Sequence, residues 1–221
     1  MRNGRKGYLP AVLLAALLVQ GCLANSSYQS ARIVERGSDT GTIGAAMTLK
    51  EDKDDESLWT LDGRARFGIA SGWDGSIGMS VVGNLQRGGG AGLVGGDIRR
   101  SIIRDRLTFT LPVSVVIGDF SFYTTRFQPG LIGTLPLSRN LDLNASVRRN
   151  IFVWAPEIKA YTYNFGLGIT TVSGRWTFHP ELAVYHNIDQ DIMLTQIGIG
   201  LVRNLVEADM RPPGRADPLI R

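Results

Sequence analysis

An alternation of apolar and small polar residues runs through most of the chain after residue 40, and it is what most limits the fold. In Ala160–Val172 the odd positions are Tyr161, Tyr163, Phe165, Leu167, Ile169 and Thr171, and the even ones include Thr162, Asn164, Gly166 and Gly168. Successive side chains of a strand point to opposite faces, so this segment has one bulky apolar face and one small polar face. Arg106–Ile117 and Leu141–Val153 repeat the pattern. Weaker copies at about 41–50, 58–70, 76–83, 92–103, 121–137, 175–186 and 192–202 bring the candidate strands to ten, or eight if the weak ones fail. No segment after residue 25 carries a long 3.6-residue apolar period.

The links between these strands differ in length. The links at 71–75, 104–105, 138–140 and 173–174 are tight, while those at 51–57, 84–91, 154–159 and 187–191 are longer, with a short one at 118–120. Short turns at one end and longer loops at the other mark an antiparallel up-and-down β-barrel of outer-membrane type. That arrangement puts both ends of the barrel on the short-turn, periplasmic side. Alternation alone also fits a soluble barrel or sandwich with an apolar ligand inside. The polar face favours the membrane form. After residue 22 the only lysines are Lys50, Lys53 and Lys159, all at strand ends or in loops, whereas a water-exposed wall carries many Lys and Glu. Trp59, Tyr161, Tyr163 and Trp176 near strand ends suit an interfacial girdle. Glycine is in excess, 27 of 221 residues, against an average of about 7%. Gly166, Gly168, Gly198 and Gly200 fall on the small face, where a narrow barrel has little room.

The N-terminus is a separate unit. Arg2, Arg5 and Lys6 precede the apolar run Leu9–Val19, about eleven residues, which is shorter than the roughly 20 of a spanning helix and fits a secretory signal. Residues 1–21 carry three of the 24 Lys+Arg and none of the 20 Asp+Glu. Without them the chain is almost neutral, and no basic patch remains to bind nucleic acid. The expected divisions are a signal peptide at 1–21, a lipid-anchored linker at 22–40, the barrel at 41–203 and a polar tail at 204–221.

Leu18-Val19-Gln20-Gly21-Cys22 resembles the bacterial lipobox, and Cys22 is the only cysteine. The resemblance implies lipid attachment at Cys22 through diacylglyceryl and acyl chains, and passage through the lipoprotein-sorting machinery. Leu23 stands where an Asp would retain such a protein in the inner membrane. The hairpin RARFGIASGWDGSIGM (64–79) has the aromatic-Gly-apolar, turn, apolar-Gly-apolar form of the small outer-membrane β-barrel proteins of Gram-negative bacteria, which the chain resembles over residues 22–202. The opening YQSARIVERG (28–37) is similar to the start of poorly characterised lipoproteins with such barrels. The resemblance implies an outer-membrane location, help from the insertion machinery, and a structural or small-solute channel role without enzymatic activity. The tail ADMRPPGRADPLIR lacks the final aromatic of many such barrels.

Candidate chemistry is sparse. Asp62, Arg64, Arg66, Asp97, Arg99, Asp142, Arg148, His179 and Glu181 all fall on the polar face, and both signs are represented. Lone buried charges are costly, so in a narrow barrel this set should pair into a plug. A polar channel is the alternative. His179 and Glu181 form a His–carboxylate pair suited to acid–base work on envelope lipids, with no nucleophile motif beside it. Glu51–Glu56, with five acids in six residues, reads as a solvated hairpin tip. Gly88-Gly89-Gly90 lacks the Lys-Ser/Thr of a phosphate loop. No cofactor or metal motif is present in the sequence.

Overall fold

The computed structural model describes residues 28–49, 58–84, 90–118, 125–153 and 155–205. The strands are β1 (Asp39–Leu49), β2 (Leu58–Ala70), β3 (Trp73–Asn84), β4 (Gly90–Ile103), β5 (Leu107–Gly118), β6 (Thr125–Phe127), β7 (Gly130–Ser138), β8 (Leu141–Phe152), β9 (Ala155–Thr170), β10 (Trp176–Asn187) and β11 (Ile192–Asn204). Each pairs antiparallel with its neighbours in sequence, except that β6 and β7 both lie between β5 and β8, and β1 pairs with β11 from Thr40↔Asn204 to Leu49↔Thr195, which closes the sheet. Closure removes the exposed edges that an open sheet of this size would leave.

β6 and β7 are two pieces of one barrel strand, so the barrel has ten. Phe127↔Ile151 and Gly130↔Arg148 keep one register on β8, and Val113↔Phe127 and Thr110↔Gly130 keep one register on β5. The interruption falls at Gln128-Pro129, because proline has no N–H to give to a ladder. The sequence reading of a continuous 121–137 strand is corrected there. The described part of that strand begins at Thr125, and the expected link at 118–120 and strand start at 121 lie largely outside the described residues. A second correction concerns the link expected at 154–159. Ala155–Lys159 belong to β9, where Ala155 pairs with Phe152.

One end of the barrel carries the turns 71–72, 104–106, 139–140 and 171–175, and the other carries the turn 188–191 and the strand ends that flank residues 50–57, 85–89, 119–124 and 154, which lie outside the described residues. At the tight turns Gly72 and Gly174 have φ of 72° and 70°, which only glycine adopts at no steric cost. The two barrel faces separate as the alternation predicts. Outward positions such as Ile43, Ile77, Met79, Ile98, Phe165 and Ile197 are more than half exposed. Between Arg100 and Arg203 at the short-turn end and Arg149 at the other, the outward strand positions hold no charged residue among the described residues. An apolar wall of this kind around a polar interior inverts the soluble design and is built for lipid contact. The interior is polar, so it does not provide the apolar cavity that a soluble ligand-binding barrel requires.

Candidate functional site in the barrel lumen

The lumen is filled in three layers. The layer near the short turns is an ion-pair cluster around Asp74, which is fully buried at the start of β3. Arg66 of β2 reaches Asp74 Oδ1 at 3.1 Å and Asp97 Oδ2 at 3.2 Å. Arg99 of β4, 2% exposed, donates from Nε to Asp74 Oδ1 at 2.8 Å and from Nη2 to Asp74 Oδ2. Arg64 lies 3.7 Å from Asp97. Shared bidentate contacts of this sort are how buried charges offset their desolvation.

A segment that strand periodicity does not reveal completes this layer. Residues 28–38, the described part of the expected 22–40 linker before β1, thread the lumen as an internal strap. The Tyr28 amide donates to Glu181 Oε2 at 2.9 Å, and its hydroxyl donates to the Ala45 carbonyl at 2.9 Å. Gln29 donates to Asp97 at 3.3 Å, the Ala31 amide to Thr134 Oγ1 at 2.7 Å, and the Val34 amide to Asp74 Oδ2 at 2.8 Å. Arg32 pairs with Asp142 at 2.8 Å. The wall answers the strap's carbonyls: Arg99 donates to those of Ser30 and Arg32, and Thr108 to that of Ala31. Arg36 bridges to Gly68 as a short parallel pair. The strap therefore ties β1, β2, β3, β4, β5, β7, β8 and β10 together across the bore.

Glycines make the room. Gly44 of β1 and Gly200 of β11 are cross-strand partners, and a Cβ on either would run into the Tyr28 ring. A Cβ on Gly68 would meet the Glu35 carbonyl. Tyr28 has φ of 46°, a conformation unusual for a bulky residue that persists only where its surroundings fix it. Here the ring slot and two hydrogen bonds do so.

The middle layer is a net of neutral polar groups with Glu181, Asp62 and two arginines. Asn164 donates to Glu181 Oε1 at 2.7 Å, and its carbonyl accepts from Ser146 and Arg148. Gln128 donates to Asn150, which donates to Thr162. A cavity of about 60 Å³ lies in this layer beside Asp62, Ser114, Arg126 and Arg148. The layer at the long-loop end is apolar. Phe152, Ala160, Tyr185 and Leu194 pack together, as do Val82, Ala91, Leu93 and Val116, and Leu58 touches both groups. These residues keep the inward register of their strands, so they cap the bore from inside.

All nine charged or ionisable residues assigned to the lumen from sequence lie on its wall. Asp62, Arg64, Arg66, Asp97 and Arg99 gather on the β2–β4 side, with Asp62 accepting from Ser80. Asp142, Arg148, His179 and Glu181 lie on β8 and β10. No hydrogen bond joins His179 to Glu181 among the described residues. Both Glu181 oxygens are engaged, by Asn164 and by the strap. His179 lines a recess of about 400 Å³ between the strap and the β1–β11–β10 wall, with Arg32, Asp142, Thr177 and Asn204. Sequence reasoning missed Asp74, which fell in a stretch read as a turn, and Arg126, which sits in the interrupted strand. It also missed the strap. Among the described residues no group of three or more His, Cys, Asp or Glu is arranged to hold a metal ion. Cys22 and the signal segment lie outside the described residues, as do Glu51–Glu56 and residues 88–89 of the glycine run.

No protein-family model matches the chain, and no curated protein matches its sequence. Several solved structures match the chain. The translocator domain of the autotransporter NalP from Neisseria meningitidis is 10% identical, with 89% of this chain and 97% of that one covered at a TM-score of 0.43. The KdgM porin, solved with disordered oligogalacturonate, is 12% identical over 74% of this chain and 99% of that one, with a TM-score of 0.44. Ail, the attachment invasion locus protein of Yersinia pestis, is 11% identical over 77% and 99%, with a TM-score of 0.33.

Proposed function

We propose that this chain is an outer-membrane lipoprotein with a structural, non-enzymatic role in the envelope, held both by acyl chains on Cys22 and by a barrel that crosses the membrane. In this reading the short-turn end and the strap face the periplasm, and the lipoprotein-sorting and barrel-insertion machineries deliver the protein. The observation that carries the reading is the filled lumen. The strap and its ion pairs occupy the short-turn half, and an apolar cap occupies the long-loop end. Side chains alone just fill a barrel of about eight strands; in this ten-stranded one the strap supplies the further filling and leaves the recess of about 400 Å³ beside it. The uncharged apolar wall supports membrane crossing. Both Glu181 oxygens are held by Asn164 and the strap, and neither of these bonds joins Glu181 to His179, so the two do not form a coupled acid–base pair, which weighs against lipid-modifying chemistry.

Planar-bilayer recording on the purified protein tests the structural role, with no steady ion conductance as the expected result. A stable unitary conductance would replace it with the small-solute channel role. Fractionation of Cys22→Ala cells tests the membrane barrel. Retention in the membrane after an alkaline wash is expected, and release into the soluble fraction would leave only a tethered soluble domain. Incorporation of labelled palmitate into the wild type and not into Cys22→Ala tests the anchor.

A further inference from the structure

Two hairpins repeat one arrangement on the outer wall at the short-turn end. Trp73 opens β3 directly after the turn 71–72, and its cross-strand partner on β4 is Arg100. Trp176 opens β10 directly after the turn 171–175, and its cross-strand partner on β11 is Arg203. In both, the guanidinium carbon lies over the indole at 5.2 Å from the ring centroid. Such stacking orients the arginine while leaving its edge N–H groups open. Both arginines point outward and are exposed, and neither is ion-paired among the described residues. Among the outward positions Arg100 follows Ile98 and Arg203 follows Leu201, and beyond Arg100 the exposed Ile102 and Ile103 carry apolar surface on to the turn 104–106.

The surrounding rim has the same sign. Exposed Arg36, Arg106, Arg139 and Arg175 lie at this end. Of its exposed acids, Glu35 and Asp105 are within reach of Arg104, and Asp39 stands at the start of β1. At the opposite end the described charges are Arg149 and Lys159 against Glu157, Asp189 and Asp191. Among the described residues the barrel is thus basic at one membrane boundary and not at the other.

We propose that each Trp–Arg pair is a binding site for the phosphodiester headgroup of an anionic phospholipid. The indole sits at the glycerol level, where aromatic rings settle in membranes. The guanidinium edge takes two phosphate oxygens in its fork, the geometry in which arginine surpasses lysine. The neighbouring rim arginines raise the local concentration of anionic lipid. The assignment to the phospholipid leaflet rests on the proposed orientation, with the short-turn end periplasmic. The lipid sites themselves do not.

The test is native mass spectrometry of the purified barrel titrated with phosphatidylglycerol, with heat-modifiable mobility confirming that each variant is folded. Wild type should retain two lipids, Arg100→Gln or Arg203→Gln one, and the double variant none, with affinity falling about tenfold or more per site. The Lys variants at both positions should bind more weakly than wild type, because they keep the charge and lose the fork. Equal retention by the folded double Gln variant would overturn the sites, as would equal retention by the double Lys variant. Competition with lipid A separates the two lipid sources: displacement of phosphatidylglycerol by lipid A at equal concentration would overturn the choice of phospholipid. Labelling of Ser173→Cys by an impermeant reagent on intact cells reads orientation alone. Labelling there would overturn the leaflet assignment and the proposed topology while leaving the lipid count unchanged.

Discussion

Asp74 shows how much one side chain can hold. Its two oxygens serve Arg66, Arg99 and the Val34 amide, so a neutral amide of the same shape leaves two buried guanidinium groups short of a counter-charge. Asp74→Asn should destabilise the barrel by about 3–5 kcal/mol, read as a lower midpoint in urea unfolding from lipid vesicles. Gly200 makes the complementary point. Gly200→Leu places a side chain where the Tyr28 ring lies, so the strap should undock, and protease should then cut between residues 28 and 38 in the variant and not in wild type. The parity of the strands made Asp62, Asp97, Arg99 and Glu181 readable as lumenal, because an inward polar residue in an alternating strand announces itself. Asp74 could not be read that way. It stands one residue after the start of β3, inside a Gly-rich stretch whose local signal is that of a turn. Gly44 and Gly200 were visible only as small inward residues, since the object that needs the space comes from a distant part of the chain.

At the level of elements, the strands were legible because each carries its own period, and their ends were placed less well where two signals competed. The proline at 129 halts a ladder without breaking its register, and residues 155–159 extend β9 although their composition resembles a loop. The strap has no period at all. It was hidden because its backbone hydrogen bonds go to wall side chains such as Thr134, Asp74 and Glu181, and such partners are set by the closed barrel rather than by neighbours in sequence. Deleting residues 28–36 removes these bonds and leaves every strand ladder intact. The truncated barrel should therefore still fold and show heat-modifiable mobility. Its urea midpoint should fall, because Asp74, Asp97 and Glu181 lose partners. Bilayer conductance should stay at baseline, because the apolar cap of Phe152, Tyr185 and Leu194 is untouched.

For the whole molecule, the apolar belt and the filled bore are one solution to one sequence constraint, since every strand supplies a wall residue to each in turn. A charge on the belt is exposed to hydrocarbon rather than to water. Ile77→Arg, midway along β3 and 63% exposed on the outer wall, should cost about 2–4 kcal/mol of folding free energy in a bilayer. The same change should cost far less in a short-chain detergent micelle, and the comparison of the two unfolding midpoints measures it. The slot that receives Tyr28 is built half from the first barrel strand and half from the last, across the seam where β1 meets β11. A chain still missing its final hairpin has no such slot. The strap can lock only after the ring of strands is complete, so a docked N-terminus is a report, delivered at the front of the chain, that its far end has arrived.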